Sequence, residues 1–208
     1  MGDHVHLGCG NDKLEGFINI DVRQTPAVDR VMNLETPEFP PGSIDIAYSN
    51  AFFEHIYRNK RVAHLKAVGN ALTQNGFICY IGIPYFPNIA KFYMEQGPGT
   101  SNDVFDLDTV YRYTHGDPER NEVYWEEQLH KSLFDKDEVT ELLRLANFSS
   151  YVIFIYAYPG DKHPAKVNMG FFVTSWKHHY RSMQIKTAKA FLKQFEKKRV
   201  LLDTLTFI

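Results

Sequence analysis

The feature that most restricts the fold is a succession of short apolar runs in the first half of the chain, separated by turn residues and one clear helical stretch. Val5 to Leu7, Phe17 to Val22, Val28 to Leu34, Ile44 to Ser49 and Phe77 to Pro84 are too short for helices and read as five strands. Between the last two, Val62, Leu65, Val68, Ala71 and Leu72 recur at helical spacing over Asn59 to Leu72, and Asn75-Gly76 supplies a stop. The cluster Pro37, Pro40, Pro41 and Gly42 marks the loop ahead of the fourth strand. Strands linked by crossovers bury both faces of a parallel sheet, so an α/β fold is expected.

The second half continues the pattern. Leu133 to Ala146 reads as an amphipathic helix, with Asp135 as N-cap and Glu138 three residues on, the spacing of a capping box. Tyr151 to Tyr158 and Met169 to Trp176 are two further strands around a Pro159-Gly160-Asp161 turn, an antiparallel pair that closes the sheet. Tyr85 to Lys131, rich in Tyr, Phe, Gly, Asp and His, has no long clean period; a segment of that kind is usually functional, and a substrate lid over 85–131 is expected. The tail from Arg181 to Ile208 is helical in pattern, with Ile185, Ala188, Leu192 and Phe195 on one face. Its cations, Arg181, Lys186, Lys189, Lys193, Lys197, Lys198 and Arg199, outnumber the single acid Glu196. That pattern suits a solvated helix packed on the domain or on a dimer mate, or one meeting a membrane surface or an acidic partner. The expected division is one domain over 1–180 and an amphipathic helical tail over 181–208.

At 208 residues, 44% hydrophobic and 23% charged, the chain suits one globular domain with an appendage. A net charge of −2 gives no general attraction to nucleic acid. Cys9 and Cys79 form neither a disulfide framework nor a zinc cage, which points to a reduced, cytoplasmic setting. His178-His179 has no nearby third ligand, so no metal is expected there or elsewhere. The start of the chain lacks signal-peptide character, and the apolar run from Phe77 to Phe86 is too short to span a bilayer.

The first strand runs into Gly8-Cys9-Gly10, where the missing side chains let a ligand approach the backbone N–H groups, although a plain tight turn fits too. A dinucleotide fingerprint would place a third glycine where Lys13 stands, which counts against NAD. Asp21 closes the second strand at the carboxyl edge of the sheet, where its carboxylate can accept from the ribose hydroxyls of an adenosine moiety or can simply be solvated. Asn33-Leu34, after the third strand, offers an amide oxygen and a backbone N–H to an adenine ring, or a turn.

In order along the chain stand His6-Leu7-Gly8-Cys9-Gly10-Asn11, Gly16-Phe17-Ile18-Asn19-Ile20-Asp21, Asn33-Leu34, the run Ser43 to Glu54-His55 with Asn50 inside it, and Asn75-Gly76-Phe77-Ile78 followed by Ile83-Pro84. This series resembles the class I methyltransferases that depend on S-adenosylmethionine (SAM), over residues 4–86 in motifs and over 130–176 in layout. The resemblance implies a Rossmann-like α/β fold, a mostly parallel seven-stranded sheet ending in an antiparallel pair, with a C-terminal helix. It also implies methyl transfer from SAM to a small or medium-sized acceptor, with the cofactor held by His6, Gly8, Cys9, Gly10, Asp21, Asn33, Leu34 and Asn50. Only ten residues separate Gly10 from Asp21, which is nearest to the branch of the family with a shortened first helix. That branch often has Asp where this chain has Asn33.

A sulfonium methyl is already activated, so alignment of the acceptor matters more than acid–base apparatus. Phe52, Phe53 and Tyr85 are candidates to face the cation, with core packing as the alternative for each. Glu54, His55, His115 and His130 are the candidate bases, of which His115 and His130 also suit a surface or capping role. A SAM- or nucleoside-binding module without transfer activity and a nicotinamide-dependent oxidoreductase are the competing readings.

Overall fold

The computed structural model describes residues 2–96, 105–116, 125–159, 166–175 and 180–208. Eight strands form one sheet: β1 (Asp3–Leu7), β2 (Ile18–Asp21), β3 (Arg30–Val31), β4 (Ile44–Asn50), β5 (Leu72–Pro84), β6 (Tyr151–Tyr156), β7 (Asn168–Thr174) and β8 (Thr206–Phe207). Their spatial order is β3-β2-β1-β4-β5-β7-β6-β8. The first five pair in parallel, whereas β7 runs antiparallel to both β5 and β6. The α/β expectation therefore holds, and the antiparallel closure with it.

The sheet has eight strands rather than seven because the tail is helical only over α6 (Arg181–Leu192) and a short turn, Lys193–Phe195. It then returns as β8, which pairs with β6 through Phe154 opposite Phe207. The third strand is two residues long, not seven. Asn75-Gly76 does not end a helix: α1 (Arg61–Ala71) passes straight into β5, whose register shifts beside Ile44. Trp176 and the Gly160-Asp161 turn lie outside the described residues. The segment 85–131 carries α2 (Phe86–Gln96), α3 (Leu107–His115) and α4 (Trp125–Gln128) among its described residues. Asp135 caps α5 (Lys136–Leu145) as expected, its side chain accepting from the Glu138 N–H at 2.7 Å.

Alternation along β5 divides the core in two. Ile78 and Tyr80 join the face covered by Leu65 and Val68 of α1 and Leu142 and Leu143 of α5. Cys79 and Ile81 join the other, covered by Ala188 and Leu192 of α6 and by Phe195 and Val200 beyond it. Residues 8–17, which connect β1 to β2, are turns and coil, so even the shortened first helix implied by the resemblance is missing. The tail fills that deficit. Phe195 stacks flat on the buried Tyr48 ring of β4, with centroids 4.4 Å apart. Arg199 donates to the Tyr48 hydroxyl at 2.8 Å and also pairs with Asp12 in the β1–β2 loop. The apolar side of α6 is thus committed within the chain.

Both cysteines are buried free thiols. Among the described residues no helix is long and apolar enough to cross a membrane. Phe195→Ala is expected to lower unfolding free energy by roughly 3–5 kcal/mol, since it empties a buried aromatic site and bares Tyr48; denaturant titration measures it, and a loss below about 1 kcal/mol would mean the tail is not part of the core.

Candidate functional site

A cleft of about 530 Å³ opens at the carboxyl ends of β1, β2 and β4, within the range usual for small-molecule sites. It brings together His6, Gly8, Cys9, Gly10, Asp21, Asn33, Leu34, Asn50 and His55. The order of the parallel strands explains this, because β1 is central and every loop leaving the carboxyl edge beside it faces the same space.

The glycine loop turns with positive φ at Gly8 and Gly10, +67° and +55°. A Cβ on Gly8 would lie 2.2 Å from the Phe52 ring, so the glycine is required for contact between loop and ring as well as for the turn. The expectation that the loop offers N–H groups to a ligand is not met. Gly8 and Cys9 both donate to the carbonyl of Ile20, at 2.8 and 3.1 Å, and Gly10 donates to Asp21 Oδ2 at 2.8 Å. Burial raises the Cys9 thiol to about 11, so it is an inert lining group.

Asp21 is a buried group that ties the loop to β2, not a solvated strand end. Its Oδ1 accepts from the Arg23 N–H at 2.9 Å and from Arg23 Nε at 3.3 Å. These two bonds and the one from Gly10 take all but about one of the roughly four acceptor positions of a carboxylate, and the one left is on Oδ2. Asn50 ends β4 and lines the cleft, its Oδ1 buried and without a hydrogen-bond partner among the described residues. Asn33 is exposed and turns its side chain back, its Oδ1 accepting from the Glu35 N–H at 2.9 Å. Leu34 is buried, and its carbonyl accepts from His64 Nδ1 at 2.6 Å. His6 is buried beside Asn19, Nδ1 to Oδ1 at 3.1 Å, and burial lowers it to about 4, leaving a neutral ring beneath the loop.

The far end of the cleft is built by the turn Phe53–His55 and by α4. His55 Nδ1 donates to the Leu129 carbonyl at 3.1 Å, and burial lowers the ring to about 4. Glu54 is 1% exposed, and desolvation raises its carboxyl to about 8. Tyr57 donates to Glu126 Oε1 at 2.5 Å, and Lys131 Nζ lies 4.6 Å from the Tyr57 ring centre. Phe52 lines the cleft, whereas Phe53 is wholly buried core and Tyr85 packs against that core. His115 is exposed, stacks on Tyr111 and does not line the cleft; His130 lies beside His55, ring centres 5.0 Å apart. His178 and His179 lie outside the described residues.

Sequence reasoning passed over Arg23, Tyr57, Glu126, Glu127 and Lys131 as lining groups. It also gave no role to Asn19, a fully buried amide whose Nδ2 donates to the Leu14 and Phe17 carbonyls and to Asp29. An Asn amid apolar strand residues was the available signal.

Two variants probe this architecture. Asp21→Asn is expected to weaken SAM binding more than Asn33→Ala does, measured by calorimetry, because it removes charge from the acceptor that the cleft presents; equal affinities would remove Asp21 from the site. His64 is fully buried between the Leu34 carbonyl and the Tyr80 hydroxyl, and burial lowers it to about 4. As pH falls below about 6.5, the unfolded chain gains a proton there that the folded chain refuses until about 4, so stability drops. His64→Gln is therefore expected to destabilise by about 2 kcal/mol less at about pH 5 than at about pH 7.5. A gap that does not change with pH in denaturant titrations would contradict this.

No family model matches the sequence, and no curated protein matches it by sequence. Solved structures do match in fold. A SAM-dependent methyltransferase from Thermotoga maritima superposes with a TM-score of 0.53 at 13% identity, over 84% of this chain and 83% of that one. One from Archaeoglobus fulgidus gives 0.53 at 10% identity, over 83% and 86%. One from Mesorhizobium loti gives 0.52 at 12%, over 83% and 90%. This chain has the Rossmann-like α/β fold of the SAM-dependent methyltransferases.

Proposed function

We propose that the chain is a methyltransferase that binds SAM in this cleft and transfers its methyl group to a small or medium-sized acceptor. The observation that carries the reading is the charge and hydrogen-bond state of the cleft. Its lining includes Asp12, Asp21, Glu35, Glu126 and Glu127 against Arg23 and Lys131. SAM carries a sulfonium and an ammonium group, which suit such a site. A dinucleotide's pyrophosphate does not: the N–H groups of residues 8–10 are all donated internally, and no helix N-terminus follows the loop.

The residues fit the cofactor at three points. Asp21 retains about one acceptor position, on Oδ2, for a ribose hydroxyl, Asn50 brings an unpartnered Oδ1 to the cleft wall for the ammonium, and the Phe52 ring under Gly8 supplies an apolar, cation-tolerant floor. Bound SAM would bring a methyl group already activated on sulfur. The protein's task is then to align an acceptor behind that carbon and keep water out. His55 stands at the acceptor end; burial keeps it neutral at pH 7, and with Nδ1–H bound to a carbonyl its Nε2 carries a lone pair.

Calorimetry with SAM and with NADH tests the reading. One equivalent of SAM and no NADH is expected to bind, and turnover on an acceptor panel is expected to fall more than SAM affinity in His55→Ala. NADH binding without SAM binding would overturn it; SAM binding without turnover on any acceptor would reduce the chain to a binding module.

A further inference from the structure

Glu54, His55 and His130 each present one ligating atom such that the three atoms lie within 4.8 Å of one another. We propose that these three side chains bind one divalent transition-metal ion, whose open coordination positions face the cleft. Three independent features support this.

The first is the state of the two imidazoles. His55 Nδ1 faces the Leu129 carbonyl at 3.1 Å and His130 Nδ1 faces the Tyr113 carbonyl at 2.8 Å. A carbonyl can only accept, so both rings carry their proton on Nδ1 and both Nε2 atoms keep a lone pair. An Nδ1–H anchored on a carbonyl is the support that metal-ligating histidines have.

The second is the carboxylate. Glu54 is 1% exposed, its Oε2 has no hydrogen-bond partner among the described residues, and its Oε1 lies 4.0 Å from His55 Nε2. A buried carboxyl oxygen without a hydrogen-bond partner is costly. Arg61 acts on Glu54 by charge, yet no hydrogen bond or ion pair joins the two among the described residues: its Nη1 bonds Ser132, its guanidinium sits 4.3 Å from the Phe134 ring centre, and its Nε and Nη2 are also buried without partners. Lys131 does not meet the need either: its Nζ donates to the Glu126 carbonyl at 2.5 Å. A cation bound between Glu54 and the two Nε2 atoms satisfies all three groups at once.

The third is rigidity. The Lys131 N–H donates to the Glu54 carbonyl at 2.9 Å, which pins the two ligand-bearing segments together, and the His130 N–H donates to the His115 carbonyl at 3.0 Å, which ties the second of them to the end of α3. Ligands around a tetrahedral ion at about 2.0–2.2 Å sit about 3.3–3.6 Å apart, so side-chain rotations of about 1 Å close the set. Two imidazole nitrogens and one carboxylate oxygen select an ion of the zinc, cobalt or iron(II) type over magnesium or calcium. Three protein ligands leave at least one position open, and His55 lines the cleft, so that position can take an oxygen atom of water or of the acceptor. This last clause rests on the methyltransferase reading; metal binding itself does not.

The test titrates the metal-stripped full chain with zinc chloride by calorimetry and with cobalt(II) chloride by visible absorption, without SAM or any acceptor. One equivalent of zinc is expected, together with cobalt ligand-field bands that zinc abolishes. His130→Ala and Glu54→Gln, each checked for folding by circular dichroism, are expected to weaken binding roughly tenfold or more. Absence of zinc binding and cobalt bands in the wild-type chain would overturn the proposal, even if a variant failed to fold. So would unchanged affinity in a folded His55→Ala/His130→Ala double variant. Because SAM is omitted, failure here leaves the cofactor reading standing, and failure of SAM binding leaves this one standing.

Discussion

Ten residues between Gly10 and Asp21 are too few for a turn, a helix and a return to the sheet edge, and most of the architecture follows from that shortage. A helix in this connection would cover one face of β1 and β4 and would satisfy its own backbone. Here the loop takes its hydrogen bonds from side chains instead. Asn19 accepts from the Leu14 N–H at 2.8 Å and donates to two loop carbonyls, while Asp21 accepts from Gly10. Both residues stand on β2, so the strand that ends at the cleft also shapes the loop that roofs it.

The uncovered face is closed from the other end of the chain. Phe195 on Tyr48 and the pairing of Arg199 with both Tyr48 and Asp12 join the tail to the loop that lacks its helix. A basic amphipathic pattern by itself suits several surroundings, including a membrane or a second subunit. The distinguishing factor is the supply of bare sheet: with Tyr48, Cys79, Ile81, Phe154 and Phe172 otherwise open to water, the nearest apolar stripe in the same chain covers them at the lowest entropic cost.

How much of this was legible in the sequence follows from how local each signal is. The strands from Val5, Ile18, Ile44 and Phe77 and the Asp135 cap were readable because period and capping spacing are local properties. The lining residues from Gly8 to Asn50 were readable as a set because they stand at the carboxyl ends of parallel strands, whereas Glu126, Glu127 and Lys131 come from a segment without such a period. The end of α1 was misplaced because Asn75-Gly76 is a turn signal in isolation, whereas Gly76 lies where a Cβ would meet the Ile44 carbonyl at 2.6 Å, a contact made by a residue about thirty positions away. The same reason hid β8, whose two residues are a strand only because β6 presents an edge. Asp21 read as a ligand group or a solvated strand end and is a buried structural acceptor, since nothing in sequence reveals where the Gly10 N–H points.

The cleft is divided chemically along its length, and the division follows the sheet. At the β1–β2 end Asp21 is borne on β2 and held by the backbone N–H groups of Gly10 and Arg23, while Asn50 ends the neighbouring β4. At the other end Tyr57, Glu126, Glu127 and Lys131 belong to the segments that follow β4 and precede α5. His55 sits where the two meet, its ring anchored on the Leu129 carbonyl and its backbone N–H on the Phe52 carbonyl. His55 therefore takes its ring orientation from the segment that precedes α5, whereas the hydrogen bonds of Asp21 come from Gly10 and Arg23. A scaffold of this kind fixes one ligand through its sheet and allows the other to vary with the loop sequence, which is where specificity is most readily changed without loss of the fold.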